Sequence, residues 1–370
     1  MANEKKEGLD LDQGVAGGTY STVKIFHFPD KVVSLLERRV SAPIYVRVKP
    51  TNRCDHDCFY CLYDPKISGV HNDVDARDEI PRGKMMETLG DFGEMGVEAV
   101  TYSGGGEPLV YPHIIEAVRK TLDLGIGLSM ITNAQNLRGE VAELMARAYW
   151  LRVSLDYCDP KMFSEIRRRP ERLFNRIVEN VSDFARIKRE ECDLGVNCVV
   201  HEKNYEHLPE IAKLCKEMGV GNVRFSPSWK MEYQEWHPPE MRKVVWEKIE
   251  EARGLEDGTF SVGSTYGRYF SGDEGEARNK GRSYTRCFWM EVVPSIGADQ
   301  AVYTCPCGSY EPECRIGSIQ NQSFKQMWFS PETERFFRDF NAQATCAEEC
   351  QNDEKNMLLN AFVACQRRKV

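Results

Sequence analysis

Ile44-Tyr45-Val46-Arg47-Val48-Lys49 runs straight into Pro50-Thr51-Asn52-Arg53-Cys54-Asp55-His56-Asp57-Cys58-Phe59-Tyr60-Cys61, and the reading of this stretch decides the fold. The first six residues alternate and are rich in β-branched types, which predicts a strand. The next twelve are polar, open on a proline, and set three cysteines at C-x3-C-x2-C, which predicts a loop. Further strand-like runs follow at 98–102, 127–132, 151–155, 194–200 and 222–226. Amphipathic helical patterns separate them at 84–95, 113–124, 140–149, 172–189 and 205–218. Six strand-then-helix units predict an α/β chain with a parallel sheet and right-handed crossovers, as a partial barrel or an open doubly wound sheet.

The texture changes after residue 226. Trp229, Trp236, Trp246 and the pair Pro238-Pro239 mark an irregular connection that contains a helix. From Cys287 onward, strands expected at 290–293 and 301–304 precede helices at 323–329 and 331–340. The expected organisation is therefore an N-terminal extension over 1–43, a core over 44–226, a connection over 227–286 and a smaller cysteine-rich module over 287–370. No internal repeat is visible.

Of 370 residues, 41% are hydrophobic and 10% aromatic, enough to offset chain ordering and to exclude low-complexity disorder. The formal charge of −8 is a poor match for a nonspecific nucleic-acid binder, which works by neutralising phosphates. The first fourteen residues lack the apolar core of a signal peptide, and no apolar run reaches the roughly 18 residues that span a bilayer. A soluble cytoplasmic protein with no membrane partner is expected. Fourteen cysteines in a reducing compartment then point to thiolate chemistry or metal ligation, against the alternative of small buried apolar residues.

In a strand-plus-helix fold, a loop after the first strand lies at the carboxyl end of the sheet, where ligands bind. Three thiolates there suit an iron–sulfur cluster, which normally takes four; with three, one iron stays open. Zinc is the alternative, with His56 as the added ligand, although that spacing matches no standard zinc motif.

The C-x3-C-x2-C loop, with an aromatic residue (Tyr60) before its last cysteine, resembles the hallmark of the radical S-adenosylmethionine superfamily. Ser103-Gly104-Gly105-Gly106-Glu107-Pro108, after the second strand, is similar to the family's glycine-rich turn that hydrogen-bonds the methionine amino group. Missing side chains there let backbone groups approach a ligand. Thr132-Asn133-Ala134 resembles the family's T-N-G, with alanine in place of glycine. Ser154 and Asn197 fall at strand positions where relatives contact the cofactor. Arg152, Ser154 and Asp156 share one strand face by alternation, which reads as the wall of a ligand cavity, and Arg224 on the sixth strand reads as a substrate contact or an internal hydrogen bond.

The resemblance implies a partial (β/α)6 TIM-like barrel. Cys54, Cys58 and Cys61 would hold a [4Fe-4S] cluster whose open iron binds S-adenosylmethionine. One electron from an external reductant such as flavodoxin or ferredoxin would then yield a 5′-deoxyadenosyl radical that abstracts a substrate hydrogen atom.

The tail carries Cys287, Cys305, Cys307, Cys314, Cys346, Cys350 and Cys365. It resembles the family's auxiliary-cluster extensions, called SPASM with two clusters and twitch with one. The full C-x2-C-x5-C-x3-C run is absent. At least one auxiliary cluster on Cys287, Cys305, Cys346 and Cys350 is implied, with Cys307 able to replace Cys305; two clusters or a zinc ribbon are the alternatives. Cys158, Cys192, Cys198 and Cys215 read as packed thiols. Asp64 to Arg82, with His71, Asp73, Asp75 and Asp78, reads as solvated loop or lid, and Arg167 to Arg169 as a solvated charge run.

The expected substrate is a small polar metabolite, a sugar, aminocyclitol or nucleoside, undergoing dehydrogenation, epimerisation or rearrangement. The basis is that about 43 residues precede the first strand, fewer than a peptide-recognition domain needs. Maturation of a ribosomally made peptide is the alternative, and a non-catalytic iron–sulfur electron carrier is the second.

Overall fold

A computed structural model describes residues 22–64, 74–228, 237–271, 276–277, 282–346 and 350–367. His71, Asp73, Trp229 and Trp236 lie outside the described residues.

The six expected strands form as β1 (Tyr45–Val48), β2 (Ala99–Tyr102), β3 (Gly127–Thr132), β4 (Trp150–Ser154), β5 (Asp193–Val200) and β6 (Asn222–Pro227). They lie side by side in sequence order, all parallel. A seventh strand from the connection, β7 (Ser261–Ser264), adds in parallel beyond β6. Because the order never reverses, right-handed crossovers put the helices on one face and leave the other as a concave interior. The sheet does not close. This is a partial barrel rather than a doubly wound sheet.

Side-chain alternation follows from that geometry. Val46, Val48, Val100, Leu128, Met130, Leu151, Val153, Val196, Cys198, Val223 and Phe225 face the helices and are buried in one core. Tyr45, Arg47, Ser154, Asn197, Arg224 and Ser226, of opposite parity, are half-buried. Since these sit on inner strands, their partial exposure means that the interior is open to water.

The tail continues the same sheet. β8 (Ser295–Ile296) pairs with β1 in parallel, and β9 (Ala301–Tyr303) and β10 (Arg315–Ser318) follow antiparallel. Residues expected as a strand at 290–293 instead form most of a helix, Trp289–Val292. Met290-Glu291-Val292-Val293 is too short a run for its period to tell the two apart. The helix expected over 140–149 ends at Met145, and an unexpected one, Pro160–Arg167, starts on an Asp159 cap that accepts from the Met162 N–H at 2.8 Å. Among the described residues no helix is long and apolar enough to cross a membrane.

The helix Phe324–Trp328 clamps the tail to the core. Its Ser323/Gln326 capping box starts it, Phe324 meets Phe92 edge-on at 5.0 Å, and the Trp328 indole donates to the Ser41 carbonyl at 2.9 Å. Trp328 is fully buried between Phe324 and Phe337. Trp328→Ala should cost about 3–5 kcal/mol by denaturant titration. Because β8 is hydrogen-bonded to β1, unfolding should remain one transition; a separate early loss of the tail would contradict the shared sheet.

Candidate active site and cysteine groups

The three-cysteine loop leaves the carboxyl end of β1 and is held from three sides. Asn52 N donates to Asp78 O at 3.0 Å and Ile80 N to Pro50 O at 2.9 Å, so 78–80 is a strap against the loop rather than free solvated chain. Asp57 N and Phe59 N donate to the carbonyls of Arg167 and Ile166, at 3.1 and 3.2 Å. The Asp55 carboxylate accepts from Asn133, Gln135 and Asn136 at 2.7, 2.7 and 2.9 Å, while Arg169 Nε reaches the Asp55 carbonyl at 2.6 Å.

Arg167 and Arg169 are thus engaged with the cysteine loop, and of the run Arg167 to Arg169 only Arg168 is exposed. Arg167 is buried, with Nη1 donating to Cys58 Sγ at 2.9 Å, and Nη2 to the Ser154 carbonyl at 2.9 Å and paired with Asp156 Oδ1 at 2.7 Å. Its spacing of four from buried Phe163 puts it on the inner face of the helix, which is the signal that the charge run masks. Tyr60 donates through its hydroxyl to Asp156 Oδ2. His201 Nε2 stands 3.8 Å from that oxygen. Burial pushes Asp156 up, but Arg167, His201 and Tyr60 outweigh it and hold the carboxyl below its usual range.

Asp156 and Arg152, expected on a cavity wall, are both satisfied internally, Arg152 by Asp193 at 2.8 Å. Ser154 remains half-buried at the interior face, and Asn197 Oδ1 accepts from Arg224 Nε and Nη2 at 3.2 Å each. The glycine turn abuts the cysteine loop. Ser103 N donates to Val48 O at 3.0 Å, Gly106 N to Thr51 O at 3.0 Å and Glu107 N to Arg53 O at 2.8 Å. A methyl on Gly105 would overlap Asn52 Oδ1, and one on Gly106 the Arg53 carbonyl. Pro108 opens a short 3-10 turn over which Glu107 folds back, accepting from Leu109 N, Thr132 Oγ1 and Asn133 N at 3.0, 2.6 and 2.7 Å. Its carboxylate therefore ties the end of β2 to the end of β3. Ala134, where the family resemblance has glycine, sits at φ 61°, a conformation that glycine takes without strain.

The tail cysteines gather more widely than the expected four. Cys305 and Cys307 are neighbours close enough to interact, as are Cys314 and Cys346, and the adjoining thiol draws Cys305 and Cys314 below the usual thiol range. Cys307, the alternative to Cys305 in the sequence, and Cys314, unassigned there, thus lie near members of the expected four, whereas Cys365 is exposed near the end of the last helix. Cys192, Cys198 and Cys215 are buried in the core. Trp246 packs edge-on against Tyr266 at 5.8 Å. Lys49 bridges the two cysteine groups. It is fully buried, donates to Tyr63 at 2.9 Å and lies 4.4 and 4.9 Å from the Tyr63 and Tyr310 ring centres. Tyr310 in turn donates to Asn52 at 2.5 Å.

The donor chemistry fits iron–sulfur clusters. Cys54, Cys287, Cys305 and Cys350 accept N–H bonds at 3.4 Å from His56, Asn356, Gly308 and Asn352, the environment that stabilises ligating thiolates. Without metal, burial pushes Cys54, Cys58 and Cys61 up, Cys61 to about 11, so loading must release protons. Among the described residues no three His, Cys, Asp or Glu side chains converge as a single metal ion requires. His56, the added ligand of the zinc reading, turns Nε2 to Gln135 at 3.1 Å.

Gly106→Ala should displace the loop and lower iron bound by Cys54, Cys58 and Cys61, measured by iron analysis; full occupancy would contradict the steric reading. Burial pushes Glu107 up to about 7 against three donors. With the folded value above the ordinary 4.5, its contribution is full below 4.5 and lost as pH rises through about 7. The stability advantage of wild type over Glu107→Gln should therefore shrink from pH 4.5 to 7.5, by up to about 3 kcal/mol. A constant difference would overturn the assignment.

The radical SAM superfamily model matches residues 48–215, and the SPASM model, an iron–sulfur cluster-binding domain, matches residues 287–352. A probable GTP 3′,8-cyclase of Halobacterium salinarum is 29% identical over 168 residues, and the match spans 45% of this chain and 45% of that protein. A PqqA peptide cyclase of Gluconobacter oxydans is 21% identical over 320 residues, 85% of each chain. Streptococcus suis SuiB bound to its precursor peptide SuiA superposes with a TM-score of 0.61 at 16% identity, covering 84% of this chain and 70% of that one. The anSMEcpe structure with bound AdoMet gives 0.55 at 16% identity, over 80% and 83%. At such identities the two solved structures establish the fold. The two domain matches fall on the cysteine loop with its parallel strands and on the gathered tail cysteines, so the chain belongs to the radical SAM superfamily of iron–sulfur enzymes and carries a C-terminal SPASM domain.

Proposed function

We propose that the protein modifies a peptide rather than the small polar metabolite expected from its short N-terminal segment. The observation that carries this reading is the match to a peptide cyclase over 85% of both chains, through the barrel and the tail alike. The GTP 3′,8-cyclase likenesses, though higher in identity, span 45% of this chain and of the Halobacterium salinarum protein, and 51% of this chain and 58% of that of Limosilactobacillus fermentum. SuiB, whose fold is similar, was solved with a peptide bound.

The residues divide the work as follows. Cys54, Cys58 and Cys61 hold the site-open cluster, and the tail cysteines hold at least one auxiliary cluster. When bound, the site-open cluster and S-adenosylmethionine, with an external one-electron donor, supply hydrogen-atom abstraction from an unreactive carbon. The Ser103–Gly106 turn presents backbone close to the loop, because side chains there would collide with Asn52 and Arg53. Ser154, Asn197 and Arg224 line the interior and orient what enters it. An interior walled by polar side chains would admit an extended chain and exclude water once that chain fills it.

Anaerobically reconstituted protein with dithionite and S-adenosylmethionine should form 5′-deoxyadenosine faster with members of a synthetic 20-residue peptide library than with GTP or nucleotide sugars. Stimulation by GTP or a sugar and by no peptide would sink the reading. Cys58→Ala should reduce cleavage of S-adenosylmethionine at least about a hundredfold; undiminished cleavage would place the cluster elsewhere.

A further inference from the structure

The three sulfurs of the loop do not share one environment. Cys54 accepts a backbone N–H from His56 at 3.4 Å. Cys58 accepts from a guanidinium, Arg167 Nη1, at 2.9 Å. That guanidinium is buried, and its second terminal nitrogen, Nη2, is held by the Ser154 carbonyl and by Asp156, so both ends of the fork are fixed. The same residue holds the loop through its main chain, since Asp57 N donates to the Arg167 carbonyl.

We propose that Arg167 is a positioning residue that sets the reduction potential of the cluster on Cys54, Cys58 and Cys61, acting through the Cys58 sulfur. The inference rests on the cluster assignment made under Proposed function.

A hydrogen bond and a positive charge at a ligand sulfur both favour the cluster state that carries the extra electron, and so raise the potential. Charge-assisted bonds are the stronger kind, and burial limits screening. Asp156 is the counterweight. At 2.7 Å it cancels much of the guanidinium charge, and it also accepts from Tyr60, the neighbour of Cys61. One carboxylate thereby touches both the partner of the Cys58 sulfur and a side chain of the cysteine loop itself. The pair is a lever with two ends. Removing Arg167 leaves an uncompensated negative charge and deletes the N–H···S bond, which lowers the potential. Neutralising Asp156 leaves an uncompensated positive charge beside Cys58, which raises it. Mere loosening of the loop would move both variants the same way.

The test uses the full chain, reconstituted anaerobically, with iron and sulfide quantified. Electron paramagnetic resonance during a redox titration follows the signal that changes on adding S-adenosylmethionine, which singles out the site-open cluster. Arg167→Gln is expected to shift the midpoint downward, Asp156→Asn upward, and Arg167→Lys, which keeps the charge but not the fork, between Arg167→Gln and wild type. Shifts of the same sign in Arg167→Gln and Asp156→Asn, or none at wild-type iron content, would overturn the proposal while leaving the cluster assignment intact. If Arg167→Gln assembles no cluster, Arg167→Lys and Asp156→Asn decide by the same signs. A wild-type signal that ignores S-adenosylmethionine and survives Cys58→Ala would overturn the cluster assignment itself.

Discussion

The buried ion pair between Asp156 and Arg167 is the contact around which the site is arranged. It joins the end of β4 to the end of the helix Pro160–Arg167, and both partners reach the cysteine loop, one through Tyr60 and one through Cys58. Two charges this deeply buried are costly unless matched; leaving either alone typically costs about 3–5 kcal/mol. That penalty makes the arrangement close to all-or-none. The loop is positioned when the pair forms, and the pair forms when β4 and the helix are packed.

A second constraint is the sharing of one sheet by the core and the tail. β1 has β2 on one side and β8 on the other, so the strand that delivers Cys54, Cys58 and Cys61 also sets the height of the hairpin that carries Cys305. Lys49, just beyond β1, touches Tyr63 after the cysteine loop and Tyr310 within the tail. Burial lowers its ammonium to about 7, a sign of how little water reaches this junction. The two cysteine groups therefore keep a fixed relation through hydrogen-bonded backbone, which an electron path between them would require.

Much of this was legible along the chain because it is local. Alternation at Val46 and Val48 and at Val223 and Phe225, with helical spacing between strands, is a property of neighbours in sequence, and the six strands follow. The glycine run and the cysteine spacing are local too. Where reading failed, the partner was distant. Arg167 looked like part of a solvated run because Asp156 and Cys58 are brought to it by folding. Glu107 belongs to the glycine-rich turn in sequence, and folding gives its carboxylate Thr132 and Asn133, at the end of the next strand, as partners. The stretch 290–293 was too short for any period to decide it.

Spacing and periodicity carry the alternation of strands and helices and the three thiols with no fourth beside them, and motif resemblance adds the family and the partial barrel. Three-dimensional contacts decide that the strand order never reverses, that the tail extends the barrel sheet, and that a buried arginine with its aspartate holds the cysteine loop. Those outcomes depend on contacts between residues tens to hundreds of positions apart. Such contacts are chosen by burial and charge matching in three dimensions, and no local pattern records them.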